Sequence, residues 1–282
     1  MKRKWILILL VIILICLFIW WFNTFTIKTT VTEIVSDKIK NEIKIVQISD
    51  LHGSTFGKDN NKLIRKIEKE NPDFICVTGD MYTAGDEKGK QVAKNLIVTL
   101  AEKYDVYFVN GEHDSSEEFM NELKANNVKV LDYKKETIEI KDTKLNLYGI
   151  TNQYYSPTFD LANEFEINKD EYNILLAHIS NFSKFEQFGI DLSLCGDTHG
   201  GQVRLPFIGA VTNDGIWFPE INASDTDAKY TKGLYKENNS YLFITSGLGN
   251  YPIPIRLFNR PEIAVIKLLG EWCDWLIYIK VV

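Results

Sequence analysis

Five short apolar runs in this chain each stop at residues able to ligate a metal. Ile43–Ile48 leads into Asp50-Leu51-His52-Gly53, Phe74–Thr78 into Gly79-Asp80, and Val106–Val109 into Asn110-Gly111-Glu112-His113-Asp114. Tyr172–Ala177 ends at His178, and Leu192–Cys195 runs into Gly196-Asp197-Thr198-His199. Short runs that stay apolar read as strands buried in a sheet. In an open α/β sheet, sites form in the crevice at the carboxyl ends of the strands. All four histidines of the chain sit at these ends. One such histidine would read as a satisfied structural residue. Five ligand-bearing ends in one chain call for a common centre.

The rest of the composition narrows the partners. A chain of 282 residues, 45% apolar, is long enough for one large domain or two small ones. The net charge of −6 and pI near 5.4 offer no basic surface, so no nucleic-acid partner is expected. No obligate protein partner is evident either. The four cysteines are dispersed without a CxxC pair and read as buried free thiols.

Residues 1–24 form a unit of their own. Met1-Lys2-Arg3-Lys4 is basic, and Trp5–Phe22 has no charged or strongly polar residue. That length just spans a bilayer core, and Trp20, Trp21 and Phe22 suit an interfacial belt. A cleaved signal peptide would have a shorter apolar run ending in small residues, and none precede Thr24. The expectation is an uncleaved single-pass signal anchor in the cell membrane. By the positive-inside rule its N-terminus is cytoplasmic, and the domain at 25–282 is extracytoplasmic.

Within 25–282, the Thr/Val alternation up to Ile34 predicts an edge strand. Asn60–Glu70 predicts a helix capped by Asn60 or Asn61, and the strand–helix–strand order makes a βαβ unit. Asp86–Lys103 predicts a second helix, and Ser115 or Ser116 starts a third. Thr137–Ile140 and Leu145–Ile150 read as a hairpin, Asn152–Lys169 as irregular, and Phe182–Phe188 as a short helix. After loops from Leu205 to Tyr230, a strand enters Ser246-Gly247-Leu248-Gly249. Ile263–Leu268 and Trp275–Val281 then read as late strands of a second sheet.

Mixed carboxylate and imidazole donors suit Mn, Fe, Zn or Co. Seven convergent ligands are too many for one ion and suit two that share a carboxylate. Such a pair clamps the attacking and leaving oxygens of a phosphoryl displacement. His113 is then free to protonate the leaving oxygen, with Asp114 orienting its ring.

The ordered set Asp50-Leu51-His52, Gly79-Asp80, Gly111-Glu112-His113-Asp114, His178 and Gly196-Asp197-Thr198-His199 resembles the calcineurin-like metallophosphoesterases. DLHGSTFG, PDFICVTGD, THGGQVRLP, SGLG and PIRLFNRPEI narrow the resemblance to a membrane-associated subfamily that includes the YkuE and YaeI proteins. The similarity covers about 42–268. It implies an α/β fold: a four-layer αββα sandwich of two mixed β-sheets, preceded here by one N-terminal transmembrane helix. It implies hydrolysis of a phosphoester or pyrophosphate bond in a phosphorylated small molecule or lipid-linked substrate. Some relatives cleave a lipid-linked nucleotide diphosphate, UDP-2,3-diacylglucosamine. It also implies two divalent ions. One is held by Asp50, His52, Asp80 and His199. The other is held by bridging Asp80 with Glu112, His178 and Asp197, and His113 is the general acid.

Two positions depart from the family pattern, which has Asn where this chain has Glu112 and His where it has Asp197. Both changes replace a neutral donor with a carboxylate. Hard oxygen donors shift preference away from Zn, so Mn or Fe is expected first, with Mg or Zn next. Two readings stay open: a re-tuned catalytic site, or a non-catalytic metal- or ligand-binding module. Gly200 and Gly201 can form a tight turn or admit a phosphate oxygen to the backbone. Arg256 is one of only five arginines and can fork a second phosphate or remain structural. The aromatics Trp217, Phe218, Tyr230 and Tyr235 can pack a loop or line a lipid-facing entrance.

Overall fold

The computed structural model describes residues 2–151, 159–223 and 227–271. The expected strand at Trp275–Val281, and part of the irregular segment after Asn152, lie outside them. Helix α1 spans Lys2–Phe25. Its stretch Arg3–Phe25 contains an 18-residue window with a mean hydropathy of 3.1 and no buried residue, so it is long and apolar enough to cross a membrane; only Asn23 and Thr24, at its outer end, are buried against the domain.

In chain order there follow β1 (Lys28–Val35), β2 (Ile43–Ile48), α2 (Asn61–Glu70), β3 (Phe74–Thr78), α3 (Glu87–Ala101), β4 (Val106–Val109) and α4 (Glu117–Ala125). Next come β5 (Lys129–Val130), β6 (Lys134–Ile140), β7 (Thr143–Gly149), β8 (Tyr172–Leu176), α5 (Phe182–Phe188) and β9 (Leu192–Cys195). Two small ribbons pair β10 (Arg204–Leu205) with β11 (Gly209–Ala210), and β12 (Thr212–Asn213) with β13 (Ile216–Trp217). The short α6 (Pro219–Asn222) precedes β14 (Gly233–Glu237), β15 (Ser240–Ile244) and β16 (Glu262–Leu269).

The strands form two mixed six-stranded sheets, ordered β1-β16-β2-β3-β4-β5 and β14-β15-β9-β8-β7-β6. The period-two alternation of side chains assigns each strand to two cores at once. Ile43, Phe74, Cys76 and Tyr107 meet Leu147, Ile174, Leu194 and Phe243 between the sheets. On the outer face of the first sheet, Val46, Ile48 and Val77 meet Leu63 and Ile67 of α2, Leu96 of α3 and Phe119 of α4. On the outer face of the second, Leu175 and Ile244 meet Phe182 and Phe185 of α5. This is the expected αββα sandwich.

The helix starts follow the sequence signals. Asp86 caps α3 by accepting from Gly89 N–H at 2.9 Å, and Ser116 caps α4 by accepting from Phe119 N–H at 3.4 Å. Asn60, expected to cap α2, does something else. Its Oδ1 accepts from Phe56 N–H at 2.8 Å and folds the preceding loop back on itself. The hairpin turn between β6 and β7 is Lys141-Asp142, both at positive φ as a tight two-residue turn requires. One strand assignment is corrected. β16 belongs to the first sheet, not the second, wedged parallel to β1 and antiparallel to β2. Its first residue, Glu262, is buried. It accepts from Thr30 Oγ1 at 2.5 Å and from Ser246 N–H at 2.9 Å, fixing the strand beside β1.

Candidate metal centre

β2, β3 and β4 run parallel in one sheet, and β8 and β9 run parallel in the other. Their carboxyl ends meet at one edge of the sandwich. Gln47 Nε2 on β2 donates to Cys195 O on β9 at 2.9 Å, so the two sheets are stitched just behind the site. Asp197 N–H donates to Asp50 Oδ1 at 3.0 Å across the same seam.

The turns that follow the strands are sharp. Asp50, His52, Asp80, Asp197 and His199 all lie at φ between 45° and 71°. That left-handed region is uncommon for residues with a Cβ, and such strain collects at functional sites. Gly79, at φ 85°, makes the β3 turn possible. A Cβ there would meet Gly111 N at 2.4 Å, so the β3 and β4 turns pack backbone to backbone.

His178 is fully buried at the centre. Its Nε2 lies 3.3 Å from Asp80 Oδ2 and 3.8 Å from both Asp50 Oδ1 and Asp197 Oδ1. Its Nδ1 lies 2.7 Å from Thr78 O, which fixes the ring so that Nε2 faces the acids. On the other side, His52 Nε2 and His199 Nε2 are 3.1 Å apart, and His199 Nε2 is 3.8 Å from Asp50 Oδ1. Asp50, His52 and His199 form one donor group, and Asp50, Asp80 and His178 another. His52, Asp80 and His113 form a third.

The electrostatics follow from burial among like and unlike charges. Burial pushes the Asp50 carboxyl up to about 7, partly offset by His178. Desolvation in the crowded cleft pushes Asp197 up to about 6, although a third of its side chain is exposed, and His178 pulls the other way. Burial acts on Asp80 in the same direction, but His178, the His113 N–H and His52 outweigh it and hold Asp80 below the usual carboxylate range. Burial disfavours charge on His178, yet Asp80, Asp50 and Asp197 raise it well above the ordinary imidazole value. Burial lowers His52 to about 4 and takes His199 well below its ordinary value, which favours the neutral imidazole that a metal requires.

The residues fit a divalent cation on one further observation: of six buried side-chain polar atoms without a hydrogen-bond partner among the described residues, three belong to the donor groups. They are Asp50 Oδ2, His178 Nε2 and His199 Nδ1. Buried polar atoms of this kind are rare unless a ligand completes them. Two of these three atoms belong to groups facing the cluster of acids that a cation would neutralise.

Not every expected residue joins the centre. Asp50, His52, Asp80, His178 and His199 converge, with Asp197 at the rim. The Glu112 side chain is exposed and belongs to none of the donor groups. His113 is half-buried, and its ring centroid stands 5.4 Å from that of His52. Asp114 departs from its expected role. Its buried carboxylate accepts from Met81 N–H at 2.8 Å and Gly111 N–H at 2.6 Å, and among the described residues no bond joins it to the His113 ring. It clamps the β4 turn to the β3 turn.

Of the two roles open to Arg256, its contacts are those of a scaffold. It is fully buried, and its guanidinium donates to Gly249 O at 2.6 Å, Asn250 Oδ1 at 3.1 Å and Asn259 O at 3.3 Å. Gly200 and Gly201 are both at positive φ. A Cβ would press on the Asn259 side chain at Gly200 and on Ala210 Cβ at Gly201, so close packing of the turn accounts for both. Of the aromatics, Tyr230 is buried with its ring 4.8 Å from that of Tyr235, whereas Trp217 is exposed.

Three supporting residues were not singled out by the sequence, although Asn259 lies within PIRLFNRPEI. The Tyr251 ring stacks on His52 at 4.6 Å and meets the edge of His113 at 4.9 Å. Thr83 Oγ1 lies 3.1 Å from His52 Nδ1. Asn259 Nδ2 donates to His199 O at 2.7 Å and in turn accepts from Lys232 Nζ at 2.9 Å. Each lies in a loop, where no periodicity marks it.

Carboxylate and imidazole donors gathered at the carboxyl ends of two stacked sheets define a metal-binding hydrolase on an αββα scaffold. Residues 43–201 match the family model of the calcineurin-like phosphoesterases. The chain belongs to that family and is a phosphoester hydrolase. It is 27% identical over 239 residues to the uncharacterized metallophosphoesterase YkuE of Bacillus subtilis, covering 80% of this chain and 78% of that protein. It is 26% identical over 236 residues to the phosphodiesterase YaeI of Escherichia coli, covering 80% and 82%. Among solved structures it is similar to the NAD nucleotidase of Haemophilus influenzae, with a TM-score of 0.43 and 16% identity. That match covers 73% of this chain and 45% of the other.

Proposed function

We propose that this chain is a membrane-anchored phosphohydrolase that uses two divalent ions to act on a phosphoester or pyrophosphate borne at a membrane surface. The observation that carries the reading is the convergence of Asp50, His52, Asp80, His178 and His199, with Asp50 Oδ2 and His178 Nε2 among them buried and without a hydrogen-bond partner. Asp50, His52, Asp80 and His199 would hold one ion. Asp80, His178 and Asp197 would hold the other, with Glu112 reaching in only by turning its exposed side chain inward. Such ions supply Lewis acidity and an activated water.

The chain's own residues do the rest. Thr78 O and Thr83 Oγ1 fix the rings of His178 and His52. His113, its backbone N–H bonded to Asp80 at 2.9 Å, would deliver a proton to the leaving oxygen. Tyr251, itself partly exposed, packs its ring against those of His52 and His113. Oxygen-rich donors at the second position favour Mn or Fe over Zn. Helix α1 supports single-pass anchoring in the cell membrane, and the basic tip supports a cytoplasmic N-terminus.

The test is hydrolysis of aryl phosphomonoester and phosphodiester by the full chain in detergent, stripped of metal and then given Mn, Fe, Mg or Zn. Turnover should require metal and be strongest with Mn or Fe. Asp80→Ala should lose more than the roughly 10–100-fold that removal of an outer partner of a metal ligand costs. Turnover that ignores both chelation and Asp80→Ala would end the reading. Activity with Zn that rises in the double variant Glu112→Asn/Asp197→His would show that the two carboxylates set metal choice.

A further inference from the structure

The outer end of α1 is fastened to the domain. Trp20 Nε1–H donates to Pro254 O at 2.9 Å, and Asn250 Nδ2 donates to Thr24 O at 3.3 Å. The Arg260 guanidinium donates to Thr26 O and Ile27 O and lies 4.4 Å over the Phe22 ring. Between this helix end and α2 runs a groove of about 520 Å³. Its lining includes Trp21 and Phe25 from α1, Lys62 and Lys66 from α2, and Ser54 and Thr55 from the loop before α2.

The two helices line it with different chemistry. Trp21 and Phe25 sit at the end of the apolar span, at the depth of lipid headgroups, and their rings are about half exposed. Lys62 and Lys66 lie one turn apart on α2, and among the described residues neither has an ion-pair partner. Lys90 and Lys94, spaced in the same way on α3, are each paired, with Glu118 and Glu122. Like charges four residues apart repel. An anion between Lys62 and Lys66 removes that repulsion, and the Ser54 and Thr55 hydroxyls can donate to it.

We propose that this groove binds the headgroup phosphate of an anionic phospholipid, with the acyl chains lying along Trp21 and Phe25. The proposal rests on the reading of α1 as a membrane anchor. Ser54 is two residues beyond His52, so a lipid seated there fixes the metal centre close to the membrane surface and sets the tilt of the domain.

The experiment uses the full chain in phosphatidylcholine vesicles doped with phosphatidylglycerol, with Phe25→p-benzoylphenylalanine as a photo-crosslinker. Vesicle flotation reads the anchor, and the lipid composition of the adducts reads the groove. Adducts should be enriched in phosphatidylglycerol over the bulk membrane. Lys62→Glu and Lys66→Glu should each cut that enrichment by at least about fivefold while flotation persists. The double variant Lys62→Arg/Lys66→Arg should keep it. A chain that floats but gives adducts matching bulk composition, or unchanged enrichment with Glu, overturns the groove alone. Binding of inorganic phosphate to the detergent-solubilised chain that falls with Lys62→Glu, together with adducts at bulk composition, overturns it in favour of a soluble anion. A chain that does not float overturns the anchor, and the groove with it.

Discussion

At the residue scale, the centre depends on side chains that hold strained turns together. Five donor residues sit in the left-handed region, each at a cost of about 1 kcal/mol or more. Asp114 is one of the groups that offsets this cost, because its two oxygens collect the Met81 and Gly111 amides. Asp114→Ala would leave two buried N–H groups unpaired, at about 1–3 kcal/mol each. The unfolding midpoint should fall by roughly 5–15 °C in a domain of this size. Asp114→Asn keeps one acceptor and should fall about half as far. Thermal unfolding of the detergent-solubilised chain reads this, with turnover measured on the fraction that stays folded. Were Asp114 instead the orienting partner of His113, Asn would remove turnover and leave the midpoint in place.

At the scale of elements, the strand ends were legible because each apolar run stops at a ligand-type residue. The place of β16 was not. A strand apolar on both faces fits either sheet of a sandwich, and periodicity does not choose. The choice lies in Glu262, whose buried carboxylate joins Thr30 of β1 to Ser246 after β15. The candidate metal ligands that follow β2, β3, β8 and β9 were readable in the same way, while Tyr251 was hidden in a loop. That loop owes its shape to Arg256, which collects carbonyls from Gly249 and Asn259. Arg256→Lys keeps the charge but loses the fork. It should destabilise by about 3–5 kcal/mol and release Tyr251 from His52. Raised KM with an unmoved unfolding midpoint would restore the substrate-binding role and remove this one.

At the scale of the whole molecule, the centre joins the two halves of the sandwich. Asp50, His52 and Asp80 come from the first sheet, and His178, Asp197 and His199 from the second. Without a cation, that seam sets Asp50, Asp80 and Asp197 around the single imidazole of His178. Bound metal should therefore act as a cross-sheet clamp as well as a reagent. Metal present at about 100 times its Kd stabilises the folded chain by about 2.7 kcal/mol per site. For a chain of this length that is roughly 5–10 °C in the unfolding midpoint. Chelation should lower the midpoint by that amount, and returning Mn should restore it. In Asp80→Ala the same cycle should move the midpoint little, because the shared donor is gone. A midpoint indifferent to chelation in the unmodified chain would mean that the sheets are held by their apolar interface alone. The gathered acids would then have to be neutralised by protons, with Asp50 at about 7 the first to take one up as the pH falls.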